Sequence, residues 1–97
     1  MAVNDKQRRY LKGLAHPLKP VVMIGNAGLT ENVLAEIENA LAYHELIKVR
    51  VSGQEKADRQ QMLDEIAKKT GADLVMVIGH IGGLYRPADK PVIQLPG

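Results

Sequence analysis

Val21-Val22-Met23-Ile24-Gly25-Asn26-Ala27-Gly28-Leu29-Thr30 runs from an apolar segment through two glycines three residues apart into a helix-start signal. The apolar run has the length of a strand and the glycines permit a tight turn. Thr30 can cap a helix in which Val33, Leu34, Ile37 and Leu41 form one apolar stripe. Leu29 and Leu34 are spaced as a hydrophobic staple across that start. A strand, a glycine turn and a helix in this order commit the chain to an α/β arrangement. They also let the backbone of Gly25 to Gly28 come close to something outside the protein.

Upstream, Asn4 and Gln7 have capping-box spacing. The short helix that follows places Tyr10, Leu11 and Leu14 near one face and Lys6, Arg8, Arg9 and Lys12 on the other. His16-Pro17-Leu18-Lys19-Pro20 cannot extend it, because each proline removes a donor and pushes its predecessor toward extended geometry. Downstream, the Thr30 helix ends near His44-Glu45. Leu46 to Val51 then alternates with period two, with Ile47, Val49 and Val51 on one face and Lys48 and Arg50 on a basic, wet one. Ser52-Gly53-Gln54 turns into a helix from about Lys56 to Thr70, with Met62, Leu63, Ile66 and Ala67 inward and Gly71 as a left-handed stop. Glu55/Arg59, Asp64/Lys68 and Glu65/Lys69 are spaced to pair on its outside. Leu74 to Ile78 reads as a strand buried on both faces, Gly79 to Gly83 as a turn, and Leu84-Tyr85-Arg86 as a last strand halted by Pro87.

The order α-β-α-β-α-β-β predicts a mixed four-stranded sheet. Two strand-helix-strand crossovers keep the first three strands mostly parallel, and the short last connection reverses the fourth. With 97 residues, 45% hydrophobic and 25% charged, the expectation is one globular domain over 1–97. Its core falls at about 4–87; 88–97 is a proline-flanked extended tail on which Val92 and Ile93 can rest against the body. No apolar stretch nears the roughly 20 residues of a spanning helix and no signal-peptide pattern opens the chain, so a cytoplasmic protein with no membrane partner is expected. The absence of cysteine excludes disulfides, thiolate metal sites and cysteine nucleophiles.

The formal charge is only +2, but it is unevenly spread. Residues 1–30 hold Lys6, Arg8, Arg9, Lys12 and Lys19 against Asp5 alone, while 31–45 hold Glu31, Glu36, Glu38 and Glu45 and no Lys or Arg. Such polarity suits an oriented encounter with an anion. The glycine turn is neither a Walker loop nor a dinucleotide fingerprint, since no Lys-Ser/Thr follows and the third glycine is missing. GxxG loops clamp nucleotide backbones in KH domains, so the device has a use on RNA. His16, His44 and His80 match no metal motif, and no nucleophile stands with a base; neither a metal, a cofactor nor a catalytic role is expected. Tyr85 is either core or a stacking ring beside the Arg86 cation.

Four ordered segments, Leu11 to Val22, Ile24 to Thr30, His44 to Val49 and Leu84 to Pro87, together closely resemble the CRM domain in its stand-alone bacterial form, the YhbY family. The resemblance implies a two-layer α/β fold like the C-terminal domain of bacterial translation initiation factor three, with sheet order 1-2-4-3. It also implies a non-enzymatic RNA-binding role on precursors of the large ribosomal subunit. Carried onto this chain, the loop falls on Gly25, Asn26, Ala27 and Gly28. The basic surface falls on Arg8, Arg9, Lys12, Lys19, Lys48 and Arg50, with His80 and Arg86 added as RNA-binding candidates. Many relatives carry a basic residue where this chain has Asn26 and His80. The expected partner is RNA, ribosomal RNA or pre-ribosomal particles, met as a monomer; the alternatives are a protein-interaction adaptor in ribosome assembly and an Alba-like general nucleic-acid binder.

Overall fold

The computed structural model describes residues 3–97, so the first two positions of the expected domain lie outside the described residues. Its elements are α1 (Asp5–Ala15), β1 (Pro20–Ile24), α2 (Glu31–His44), β2 (Leu46–Val51), α3 (Lys56–Thr70), β3 (Asp73–Ile78) and β4 (Ile81–Tyr85). The strands form one mixed sheet in the order β1-β2-β4-β3, with β1 and β2 parallel and β4 antiparallel to both of its neighbours. Class, element order and sheet order are as expected.

α2 and α3 cover one face. Val22, Ile24, Ile47, Val49, Val51 and Leu84 of the sheet meet Ile37, Leu41, Leu63 and Ile66 of the helices there. Both starts follow the sequence: the Asn4–Gln7 capping box opens α1, and the Thr30 side chain accepts from the Val33 amide to open α2. On the opposite face α1 sets Leu11 and Ala15 against Leu46, Val75 and Tyr85, adding a partial third layer. Leu11 and Ala15, four apart, define its buried face. Tyr10, about 100° round the helix from Leu11, is therefore exposed, and so is Leu14, against the expectation that both lie inward.

Two strand readings change. β3 is an edge strand rather than one buried on both faces, and Ile78 at its end is exposed. A continuous apolar run does not by itself say which position in the sheet a strand takes. β4 begins at Ile81, so Gly82 and Gly83 belong to a central strand, and the turn shrinks to Gly79-His80 with Gly79 at φ 57°. The glycines are fixed by neighbours. A Cβ on Gly82 would collide with the Leu63 side chain, which is fully buried and cannot retreat. A Cβ on Gly83 would come 2.6 Å from Cγ of Met76, a half-buried, flexible side chain. Gly82→Ala is therefore expected to cost about 1–3 kcal/mol by overpacking, and Gly83→Ala less. Thermal unfolding of the two variants checks this, and an equal or reversed order would contradict it.

The segment after β4 has no helix or strand and is anchored to the body. Ile93 and Leu95 pack onto the α1-side cluster, and Gln7 Nε2 donates to the Pro96 carbonyl at 3.1 Å. Its main anchor is Glu45, only 3% exposed, whose carboxylate accepts the amides of Ala88, Val92 and Ile93 at 2.9 Å each.

Candidate functional site

α1 covers only the half of its sheet face nearest Leu46 and Tyr85; the other half is open. The strand register places two transverse rows there: Met23, Arg50, Ile81 and Ile78 in one, and Pro20, Lys48, Gly83 and Met76 in the next. Met23 is 70% and Ile78 67% exposed, because their neighbours Ile24 and Val77 turn toward α2 and α3 instead.

The glycine loop lies at the far end of β1, beyond Met23. Its turn is closed by the Gly28 amide donating to the Gly25 carbonyl at 3.0 Å. Gly28 has φ 78°, which an L side chain adopts only at a cost. Gly25 is different: it shows no positive φ and a Cβ there would meet nothing within 4 Å. The fold itself does not require glycine at 25. The amides of Asn26 and Ala27 at the exposed corner make no bond among the described residues. Beside the loop, the Val51 amide donates to the His80 carbonyl at 2.8 Å and His80 Nδ1 donates to the Val51 carbonyl at 2.9 Å. This doubly bonded corner, with Met23, Gly25 and Arg50, lines a cleft of about 320 Å³.

The near side of the open face is bordered by α1. Leu14 lines a groove with Leu18, His44, Leu46 and Ile93, so that flank of the helix faces the tail. Helical geometry then puts Arg8 and Lys12 on the opposite flank, toward the open rows, and Arg9 on the outer side of the helix, away from the sheet. Arg8 bends onto the Leu74 carbonyl at the β3 edge. Lys48 Nζ donates to the carbonyls of His16 and Leu18, each at 3.1 Å, and so ties the connector to the sheet. Its charge sits where the α1 carbonyls end, and part of it serves the fold. Lys19 borders the same groove as Lys48.

Gly25 to Gly28, Arg50, His80, Lys12, Lys48 and Lys19 thus frame one surface, Arg8 lies on its margin, and Arg9 is not brought to it. Arg86 stands apart at the other end of β4. Its guanidinium pairs with Glu38 at 2.7 Å and donates to the Thr70 carbonyl at 2.8 Å, joining α2 to the end of α3. Tyr85 beside it is 2% exposed, which settles its open reading as core. Burial, then the Glu45 and Asp73 charges, push its phenol above the ordinary 10.0.

Sequence reasoning missed Arg59. Instead of pairing with Glu55 it donates to the carbonyls of Gly53, Gln54 and Gly79, holding the two loops behind the cleft. Of the three expected pairs on α3, Glu65–Lys69 is the one found within ion-pair distance among the described residues, at 3.3 Å. Among the described residues no group of His, Asp or Glu is placed to hold a metal, and no helix is long and apolar enough to cross a membrane.

The family model of the CRS1/YhbY (CRM) domain matches residues 3–86. The chain belongs to the CRM family. It is 55% identical over 94 residues to a Haemophilus influenzae protein named "RNA-binding protein", covering 97% of this chain and 95% of that one. It is 34% identical to "Probable RNA-binding protein YqeI" of Bacillus subtilis, covering 97% and 99% of the two chains. The solution structure of the hypothetical protein SAV1595 from Staphylococcus aureus superposes with a TM-score of 0.86 at 35% identity, covering 98% of this chain and all of that one. For this CRM domain, Gly25→Ala is the sharpest probe of the loop. It is expected to leave the unfolding midpoint unchanged and to weaken binding to an RNA hairpin several-fold, as read by fluorescence anisotropy. A lowered midpoint with unchanged affinity would make Gly25 a purely structural residue.

Proposed function

We propose that this chain is a non-enzymatic RNA-binding protein that docks on precursor RNA of the large ribosomal subunit during assembly. The observation that carries the reading is the convergence of the glycine loop, Arg50, His80 and the basic flank of α1 around one uncovered sheet face. Loop amides and a helix start suit phosphate oxygens, and the surrounding cations supply sequence-independent attraction. The names of the relatives support RNA as the ligand. The ribosomal target rests on the family resemblance.

Electrostatic attachment to phosphate fixes how binding must respond to salt. Each neutralised phosphate contributes a slope of about −0.7 on single strands, and more on duplex, in log K against log salt. With four or five cations engaged, a slope near −3 to −4 is expected for this protein on a ribosomal RNA fragment. Co-sedimentation with large-subunit precursors should be lost when RNA is digested. A flat salt dependence, or particle association that survives complete nuclease digestion, would instead favour the adaptor reading.

A further inference from the structure

We infer that the open half of the sheet is a binding site for a single unpaired nucleobase, held against the Met23–Arg50–Ile81–Ile78 row while its phosphates lie on the loop and the α1 flank. The inference rests on the RNA-binding reading and adds what that reading leaves unsaid, the use of an apolar surface inside a ring of cations.

A surface made only to hold phosphates has no need of exposed Met23 and Ile78 side chains, which carry a solvation cost that charged side chains would avoid. The row is mixed in a particular way, with Arg50 set between Met23 and Ile81 by the pairing of β2 with its two neighbours. A guanidinium plane stacks on bases, and a thioether makes favourable contacts with aromatic rings. In the adjoining row the Met76 side chain lies over Gly83, beside Lys48, and continues the apolar surface. The three tyrosines do not provide the usual aromatic platform: Tyr85 lies beneath α1, Tyr10 is on the tail-facing flank of α1, and Tyr43 is on α2.

The cleft at the head of the row is small. Its volume of about 320 Å³ is at the low end for small-ligand pockets, enough for one base. Ser52 and Gln54 line it with Met23, Gly25, Arg50 and His80, bringing hydroxyl and amide groups that can meet a base edge. An apolar protein partner would leave Arg50 and Lys48 without a counter-charge, whereas a nucleotide brings an apolar ring and an anion together. A paired base cannot lay its face on the row, so the site selects bulges, loops or single strands.

The test uses the full chain, a hairpin RNA carrying one unpaired purine, the same hairpin fully paired, and the same bulge made abasic, all read by anisotropy. The wild type is expected to bind the bulged RNA about tenfold more tightly than the paired or abasic forms. Met23→Ala with Ile78→Ala, both at exposed positions, should abolish that advantage and leave paired-hairpin affinity and salt slope unchanged. In the variant the abasic change should have no further effect, the signature of two alterations to one contact. Equal binding of bulged and paired hairpins by the wild type overturns the base site while RNA binding stands. So does a variant that weakens all three RNAs alike, or that leaves the tenfold preference intact, as a protein-docking role for this row would. No binding to any of the RNAs would remove the RNA-binding reading itself, and the base site with it.

Discussion

Glu45→Ala is expected to cost about 3 kcal/mol and to release the tail from Ala88 onward. Glu45 ends α2 at φ 66° and ψ −44°, the one described non-glycine residue with positive φ, a conformation costing about 1–3 kcal/mol. It is held there from all sides. Its amide donates to the Leu41 carbonyl, its carbonyl accepts the Arg86 amide, and its carboxylate accepts three tail amides. Hydrogen bonds to a charged acceptor contribute about 1.5–3 kcal/mol each, but the amides can turn to water once the tail peels away. The loss is therefore capped by the anchoring of Ile93 and Leu95, which sets the estimate nearer one strong bond than three. For a domain of this size that is a fall of about 12–24 °C in the midpoint. Hydrogen exchange should show the Ala88, Val92 and Ile93 amides losing protection while the β2 and β4 amides keep theirs. Unchanged protection at those three positions would mean that Ile93 and Leu95 alone hold the tail.

The same carboxylate gives the tail a pH dependence. Burial pushes the Glu45 pKa up, but the amides of Ala88, Ile93 and Val92 together outweigh it and hold the group below its ordinary 4.5. A depressed carboxylate contributes stability that is complete above its unfolded value and is lost as pH falls through the folded one. Tail protection should therefore be flat from neutral pH down to about 4.5 and collapse below it. Glu45→Gln, which keeps one acceptor oxygen, should remove the acid step.

What the sequence made legible is what local chemistry decides. Asn4, Thr30 and Gly71 announced three helix ends because capping is settled within a few residues. The period of two in β2 assigned its faces correctly. What it concealed depends on partners distant in the chain. Gly82 and Gly83 read as a turn because only Leu63 and Met76, brought up from α3 and β3, show why a central strand has no side chains there. Glu45 read as one more charge on an acidic segment. Its signal was positional: a helix ended and a strand began at once, with no glycine at the junction, so the junction residue itself took a positive φ and is held in it. Where the loop and Arg50 lie in the fold was legible from motif and alternation. Arg86 was not, because a cation beside a tyrosine that the sequence leaves open between core and surface gives no sign that Glu38 and the end of α3 will meet it.

Lys12→Glu with Lys19→Glu is expected to weaken RNA binding by about a hundredfold near 0.1 M salt, and to lower the salt slope by about two. The two residues border the open face from different elements, the last turn of α1 and the connector, and both are exposed. Neither side chain makes a hydrogen bond or ion pair among the described residues, so folding does not depend on them. Lys48 would confound the test, because its ammonium holds the connector and its loss would disturb α1. Removing two phosphate contacts accounts for about tenfold or more, and reversing the charge places two carboxylates against the backbone, which supplies the rest. Lys68→Glu with Lys69→Glu is the matched control. It changes net charge equally, but on the last turn of α3, across the sheet from the open face. Its effect should be less than about threefold, from long-range field alone, and should fade as the Debye length shortens with added salt. Equal losses from the two double variants would mean that net charge drives binding and no surface is preferred. A large loss confined to Lys12 and Lys19, with a slope reduced by two, is what a phosphate track beside the glycine loop requires.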